Sequence, residues 1–333
     1  MRYGFGRLMV WLDRGGVGDE AWFVRAVGSL DVSPTLSGLL DQAIDRSLQA
    51  FDANEAPMVA ALTADLTTRD GPPSDPERVH KYRVATRRLR SDLATFAPVV
   101  DAEAAGSLRT ELGWLGRLVG EVRDADVQIG AMTEVLGTLG DVSEEEAGVV
   151  LGHLRARRLQ ALPRLLEAIG SSRQVALRAE LERGAGPLLS PQLAACPADE
   201  VAPELLGRPV RHLRRAVRRL DAVPAHAELH RVRILAKRAR YAAEALEPAL
   251  GPDAERLAAT LRRVQDVLGD HQDTVVAEGG LRELAAEEPS VAFLAGRLVE
   301  QERARRGAMR AAWPKAWKDV HRQIALAKDV LWV

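Results

Sequence analysis

Residues 80–90 read His-Lys-Tyr-Arg-Val-Ala-Thr-Arg-Arg-Leu-Arg, and residues 230–240 read His-Arg-Val-Arg-Ile-Leu-Ala-Lys-Arg-Ala-Arg. Each stretch begins with a histidine and carries basic residues 3, 7, 8 and 10 positions later. On an α-helix, a spacing of 3, 7 and 10 positions places the histidine and three basic side chains along one side. The two stretches therefore predict a pair of matching helices, each with a cationic stripe.

Two further motifs repeat in the same order along the chain. Gly-Glu-Val-Arg-Asp-Ala-Asp-Val at 120–127 corresponds to Gly-Asp-His-Gln-Asp-Thr-Val-Val at 269–276, and Arg-Ala-Arg-Arg at 155–158 returns at 303–306. The second copies of the three motifs follow the first by 150, 149 and 148 residues. Three ordered matches with so little drift favour an internal duplication over chance. We therefore expect two similar helical halves related by a pseudo-twofold axis.

The composition predicts an all-α fold. Apolar residues make up 47% of the chain but aromatic residues only 4%, and alanine and leucine, which favour helices, dominate the apolar set. Periodicity and capping signals predict helices at 36–52, 76–98, 103–138, 144–169, 204–221, 225–247, 253–287 and 290–312, and a last helix after Pro314. The expected organisation is two four-helix-bundle-like units with a basic central groove or channel.

The predicted halves are separated by a proline-rich segment. We expect the first helical half at 33–183, a Pro-rich linker at 184–203 and the second half at 204–333. Residues 1–32 form an N-terminal segment to which the sequence assigns no role. The prolines at 187, 191, 197 and 203 are the reason for placing the boundary in the linker.

Charge distribution, rather than net charge, indicates the kind of partner. Lysine and arginine total 46 and aspartate and glutamate 47, so the net charge of −1 does not itself predict a polyanion partner. Between residues 78 and 90 there is no acid, and between 208 and 240 eleven basic residues face two acids. Such segregation predicts a basic surface that binds phosphate groups through bidentate arginines. The candidate side chains on the helical stripes are His80, Arg83, Arg87, Arg90, Arg211, Arg214, Arg218, His230, Arg233, Lys237 and Arg240.

The alternative is that the stripes are structural and pair with acids on neighbouring helices. Asp65, Glu121 and Glu278 are among the carboxylates that could do so. Asp124 and Asp273, which are equivalent positions of the second motif, are expected to hold basic side chains of the motif helices in place.

The repeated pattern resembles the CHAD domain (conserved histidine α-helical domain), and the resemblance covers about residues 33–330. It implies two four-helix bundles related by a pseudo-twofold, a basic channel, and non-catalytic binding of inorganic polyphosphate, with association with polyphosphate granules. By position it adds Arg155, Arg158, Arg303 and Arg306 to the ligand-facing set. The second copy departs from the first in having Gln272 where the first has Arg123. The Glu-x-Glu-x-Lys signature of the CYTH triphosphatase domain that accompanies many relatives is absent, so no phosphohydrolase activity is expected from it.

A basic helical surface is also compatible with other partners and chemistries. A nucleic-acid-binding helical protein would also use a basic face, and a phosphohydrolase acting on polyphosphate is a weaker alternative. His226 and His230 have the spacing of a metal-ligand pair, but the equivalent of His226 in the first half is Pro76. We expect no metal, cofactor or catalytic set. One cysteine, and no membrane span or signal peptide, favour a cytoplasmic protein.

Overall fold

Helices form nearly all the regular structure of the computed structural model, which describes residues 34–68 and 71–327. The predicted all-α class is confirmed, and β pairing in this part of the chain is limited to an isolated bridge between Thr35 and Pro197. The helices are α1 (Leu36–Thr68), α2 (Pro76–Thr95), α3 (Ala102–Thr138), α4 (Glu144–Ala168), α5 (Ser172–Glu182), α6 (Pro191–Ala194), α7 (Ala198–Arg218), α8 (His226–Leu250), α9 (Pro252–Glu287) and α10 (Ala292–Leu326), with single 3-10 turns at Gly186–Leu188 and Pro289–Val291. The predicted segment 1–32 lies outside the described residues.

Local signals explain where the helices of the first half begin. The Asp75 side chain accepts a hydrogen bond from the Arg78 backbone N–H at 3.2 Å, and Pro76 occupies the first turn of α2, where its missing N–H costs nothing. α4 begins with the predicted capping box of Ser143 and Glu146. The Asp75 cap and Pro76 therefore fix the start of α2, the helix that carries the first cationic stripe.

The helix starts in the two halves follow the spacing of the sequence repeat. α8 begins 150 residues after α2, α9 begins 150 residues after α3, and α10 begins 148 residues after α4. In α2 the predicted apolar stripe is buried, and Tyr82 and Leu89 are both fully inaccessible to solvent. The repeated sequence motifs therefore lie on helices that begin at matching positions in the two halves. The internal duplication itself stays a prediction from the sequence.

α1 and α10 each extend through a proline, beyond the ends predicted from the sequence. α1 continues past Pro57 to Thr68, and α10 continues through Pro314, where two helices were expected. In both helices the apolar face continues beyond the proline, with Met58 buried in α1 and Val320 in α10. Burial of that face outweighs the cost of about 3 kcal/mol for an interior proline.

The Pro-rich segment 184–203 packs against the rest of the protein. Leu188 is buried, and the Leu36 backbone N–H donates a hydrogen bond of 2.9 Å to the Cys196 carbonyl. α7 begins at Ala198, six residues before the start expected for the second half. The expected linker is therefore partly helical and attached to the first half at the start of α1.

Two apolar clusters hold the described helices together. The larger one is continuous across both halves and includes buried residues of α1, α2 and α3 together with α7, α8 and α9. The smaller one joins the C-terminal parts of α3 and α9 to the N-terminal parts of α4 and α10. Its members include Ile129, Val150, Leu281 and Leu294. Because the larger cluster includes α2 and α8, both motif helices are anchored in a shared core.

Candidate anion-binding cleft

A cleft of about 530 Å³ lies between α2, α3 and α8. Three helices contribute cationic side chains to its lining, and two carboxylates, Glu121 and Asp124, are also present. We call this site the cationic cleft; its basic side chains are Arg83, Arg87, Arg90, Arg109, Arg117, Lys237 and Arg238. Four of the residues predicted from the stripes, three from the first motif copy and Lys237 from the second, are thus brought together.

Glycines on α3 make room for the arginines of α2. A Cβ atom on Gly120 would overlap the Nη1 atom of Arg83, and a Cβ atom on Gly113 would lie 3.5 Å from the Arg90 Cζ atom. The second half repeats the arrangement, since a Cβ atom on Gly269 would lie 3.4 Å from the Arg233 Nε atom. The glycine of each second motif therefore provides the seat for the first arginine of the neighbouring motif helix.

A carboxylate orients the arginine in this seat. The Arg83 Nη2 atom lies 3.1 Å from the Asp124 Oδ1 atom, which confirms the prediction that Asp124 holds a basic side chain of the motif helix. In the second half, burial raises the pKa of Asp273 although Arg233 favours its charged form, and the two residues make no ion pair within 4.0 Å. The pairing is therefore direct in the first half and longer-range in the second.

Polar contacts fix α2 against α8 beside the cleft. The Arg87 Nε–H donates a hydrogen bond of 2.7 Å to the Tyr241 hydroxyl, and Arg88 lies 3.3 Å from Glu244. Arg240 also pairs with Glu244, at 3.1 Å, and its guanidinium lies 4.5 Å from the centre of the Tyr241 ring. Arg240 is therefore held at the junction of the two halves, next to the cleft rather than in its lining.

Most cations in the cleft have no carboxylate partner. Asp124 pairs with Arg83 and Glu121 pairs with Arg164, so both acids in the lining are already engaged. Among the described residues, no ion pair within 4.0 Å is made by Arg87, Arg90, Arg109, Arg117, Lys237 or Arg238. The cleft therefore holds uncompensated positive charge.

This charge changes the titration of the one lysine in the lining. The pKa of Lys237 is lowered to about 7. Burial of the amine is the largest cause, and repulsion from Arg233, Arg87 and other nearby arginines adds to it. An anion placed among these groups would reverse the repulsion and favour the protonated amine. The protonation state of the Lys237 amine should therefore depend on whether an anion occupies the cleft.

The two motif histidines lie on the same helices but outside the lining. Burial, then the charge of Arg123, lowers the pKa of His80 below its usual value. The His230 Nδ1 atom is buried and has no hydrogen-bond partner among the described residues. Contact of either imidazole with a ligand stays a prediction.

The residues added by the resemblance are mostly engaged by carboxylates. Arg158 is 4% exposed and bridges Asp65 at 2.7 Å and Asp126 at 2.5 Å, and Arg306 pairs with Glu278 at 2.5 Å. Arg303 also pairs with Glu278, and Arg155 lines a small space beside Arg158. These four side chains do not line the cationic cleft, and we leave them out of the proposed binding set.

The stripe on α7 is likewise separate from the cleft lining. Arg211 pairs with Glu204 at 2.5 Å, whereas Arg214 and Arg218 make no ion pair among the described residues. Of the three predicted arginines on α7, Arg211 is therefore paired with an acid, as the alternative of a structural role predicts.

Sequence reasoning missed three of the seven cleft cations. Arg109 and Arg117 lie on α3, and Arg238 belongs to the second motif but falls outside its predicted stripe. A signal was present, because Gly113, Gly116 and Gly120 recur at three- and four-residue spacing, which marks a face of α3 that another helix can approach closely. Arg109 and Arg117 flank that glycine face.

The described histidines and carboxylates do not form a cluster of metal ligands. The His226 Nδ1 atom lies 3.3 Å from the His271 Nε2 atom, so His226 faces another helix rather than His230. Groups of three or more potential ligands that could hold a metal ion are absent from residues 34–68 and 71–327. In the same ranges, no helix is both long enough and apolar enough to cross a lipid bilayer.

Two solved structures have a similar fold. The CHAD domain from the plant Ricinus communis aligns with a TM-score of 0.66 and 25% identity, over 88% of this chain and 93% of that one. PptA from Streptomyces chartreusis aligns with a TM-score of 0.68 and 23% identity, over 86% of this chain and 100% of that one, which shows a shared fold alone.

Sequence comparison gives relatives and a family. Two uncharacterized proteins from strains of Mycobacterium tuberculosis, MT2285 and Rv2226, are each 28% identical over 249 residues. The match covers 68% of this chain but 44% of each relative, so the chain spans less than half the length of these relatives. The family model of the CHAD domain matches residues 42–282, which includes both motif helices and the entire lining of the cationic cleft. The chain belongs to the CHAD domain family.

Proposed function

We propose that this protein binds inorganic polyphosphate in the cationic cleft without catalysing a reaction on it. The observation that carries the proposal is the set of seven basic side chains around one cleft, six of them without a carboxylate partner among the described residues. Membership of the CHAD domain family supports the same ligand, because the resemblance carries an expectation of polyphosphate binding.

Arginine is the appropriate residue for a chain of phosphates. Its planar guanidinium donates two parallel hydrogen bonds to phosphate oxygens and stays charged at any physiological pH. Arg83, Arg87 and Arg90 occupy successive turns of α2, and Arg109 and Arg117 of α3 line the same cleft. A linear polyanion lying in the cleft would meet cations from both helices.

The lining favours polyphosphate over nucleic acid. Proteins that bind single-stranded nucleic acids stack bases on aromatic side chains, at about 1–3 kcal/mol per base. The cleft lining contains no aromatic residue, and its apolar members, such as Leu112 and Ile234, are aliphatic. A ligand made only of phosphates needs no stacking surface.

The lining also supports binding rather than catalysis. Carboxylates and imidazoles are common general bases, but a carboxylate paired with an arginine is not free to take a proton from an attacking group. Glu121 and Asp124 are the only carboxylates in the lining, and each is paired with an arginine. Retention of bound polyphosphate would also bring the protein to polyphosphate granules, and we propose that location.

Direct binding and competition test the proposal. The full chain is titrated with long-chain polyphosphate at physiological salt, and single-stranded DNA and RNA are then added as competitors. We expect saturable binding of polyphosphate. DNA and RNA should displace it only when their concentration, counted as phosphate groups, greatly exceeds that of polyphosphate. Incubation with Mg²⁺ and polyphosphate should release no inorganic phosphate above a no-protein control. Preferential binding of nucleic acid, or phosphate release proportional to protein, would overturn the proposal.

A further inference from the structure

Lysine is the exception in the cationic cleft. The chain has 41 arginines and five lysines, and six of the seven cations in the lining are arginines. The seventh, Lys237, occupies the position that Arg87 holds in the first motif copy. An arginine is always protonated in proteins, whereas a lysine can lose its proton and become a nucleophile. The substitution therefore adds a chemical property that binding a polyanion does not require.

The surroundings of Lys237 favour the unprotonated amine. Arg233 and Arg240 on its own helix, and Arg83 and Arg87 on α2, all act on the amine with positive charge. Asp124 and Glu244 partly offset the charges of Arg83 and Arg240, whereas Arg87 and Arg233 make no ion pair among the described residues. With a pKa of about 7, roughly half of the Lys237 amines are neutral at pH 7, whereas an ordinary lysine is almost fully protonated.

The same cleft would bind the phosphate end of a reactive acyl donor. An acyl phosphate carries a phosphate group that arginine forks bind as they would bind one unit of a polyphosphate. Because Lys237 and arginines from two other helices line one cleft, a phosphate held by those arginines would occupy the same cleft as the amine. Binding would raise the effective concentration of the donor at the nucleophile.

We propose that Lys237 is a site of covalent N-acylation by acyl phosphates, and that its acylation weakens polyphosphate binding. The proposal concerns regulation of the cationic cleft and, in its second part, rests on the proposed function. The affinity of the cleft for polyphosphate would then fall as the concentration of acyl phosphates rises.

The reaction balances without a further reagent. The lone pair of the neutral Lys237 Nζ atom attacks the acyl carbon, a C–N bond forms, and the C–O bond to phosphate breaks. Inorganic phosphate leaves with the bonding electron pair, and the proton lost from Nζ passes to water. The product is a neutral amide, so the cleft loses one potential cation and gains an acyl group in the path of the ligand.

A lysine on the same motif helix as the cleft arginines provides an internal control. Lys81 on α2 lies outside the cleft lining, is about half exposed, and lies 3.8 Å from Glu77. Lys81 therefore reports ordinary surface reactivity within the same molecule.

The test incubates the full chain with acetyl phosphate between pH 6 and 9 and follows acetylation of each lysine by peptide mass spectrometry. We expect Lys237 to react at least about 10-fold faster than Lys81 at pH 7.5, because far more of its amine is neutral. Its rate should level off above pH 7, and long-chain polyphosphate should protect Lys237 but not Lys81. An N-hydroxysuccinimide acetate ester, which lacks phosphate, should show a smaller preference for Lys237.

Binding measurements complete the test. Acetylated protein and the variant Lys237→Gln should bind polyphosphate more weakly than the unmodified chain, and Lys237→Arg should bind normally and resist inhibition by acetyl phosphate. Equal acetylation of Lys237 and Lys81 would overturn the inference even if polyphosphate binds well. Rapid acetylation of Lys237 in a protein that does not bind polyphosphate would instead overturn the proposed function and leave the modification site standing.

Discussion

Replacing Gly120 by alanine tests whether the seat for Arg83 matters to ligand binding. The added methyl group would occupy the position of the Arg83 Nη1 atom and lie 3.2 Å from its Cζ atom. The guanidinium is at the end of a flexible side chain, so it should move out of its seat while the backbone stays in place. Arg83 would then lose both its contact with Asp124 and its position in the cleft.

The expected effects on affinity and stability have opposite signs. Loss of one hydrogen-bonded contact to a charged group costs about 1.5–3 kcal/mol, which corresponds to polyphosphate affinity weaker by about 10- to 150-fold. Alanine is better than glycine in a helix interior by up to about 1 kcal/mol, so the free energy of unfolding should not fall. The Arg83–Asp124 pair is partly exposed and contributes little to folding.

The assay is isothermal titration with long-chain polyphosphate, alongside urea unfolding of each protein. Gly130→Ala is the matched control, because it lies on the same helix and an added Cβ atom there meets nothing within 4 Å. We expect weaker binding in Gly120→Ala alone, with both variants at least as stable as the parent. Equal affinity in the two variants, both folded, would refute the assignment of Arg83 to the binding set.

Three further predictions concern buried charges. Arg158→Met leaves two buried carboxylates unpaired and should lower the free energy of unfolding by about 3–5 kcal/mol in urea titrations at pH 7; an unchanged midpoint would contradict the structural role. Burial raises the pKa of Asp92 to about 7, so the folded protein retains a proton that the unfolded chain releases above about pH 4. Stability should therefore fall as pH rises from 4 to 7, and Asp92→Asn should be more stable than the parent at pH 8 but similar near pH 4. Because the pKa of Lys237 is lowered to about 7, polyphosphate affinity should rise as pH falls from 8 to 6. Lys237→Arg should flatten this rise, and an equally steep profile in the variant would assign the effect to other groups.

Local sequence signals predicted the helices well where caps and apolar periodicity agree. Asp75, Pro76 and the Ser143 capping box mark helix starts that the structure confirms, and the stripe through Tyr82 and Leu89 is buried as expected. Such signals act within one or two turns, and they therefore require no knowledge of the tertiary packing.

Helix ends at prolines could not be predicted in the same way. Pro57 and Pro314 lie inside long helices because the apolar faces that follow them find partners in the core. A single sequence gives the local cost of each proline but not the area that its helix buries.

The candidate site was predicted in part for a similar reason. The arginines at 83, 87 and 90 and Lys237 were found because they share a stripe and a repeat, whereas Arg109 and Arg117 reach the cleft only through the packing of α3. Arg158 has the same residue type as the cleft cations, but two carboxylates distant in sequence enclose it. Residue spacing identifies a cationic helix face, and only the packing of helices decides which cations remain unpaired.

The salt dependence of polyphosphate affinity tests the central claim most directly. The measurement compares the parent with Arg90→Gln/Arg117→Gln, which removes two unpaired cations from the cleft, and with Arg256→Gln/Arg322→Gln, which removes two arginines from outside its lining. Each lost phosphate contact should make the slope of log affinity against log salt shallower by about 1. We predict a slope shallower by about 2 and weaker binding for the cleft variant, and parental values for the control. Identical slopes in all three proteins would contradict the assignment of polyphosphate binding to the cationic cleft.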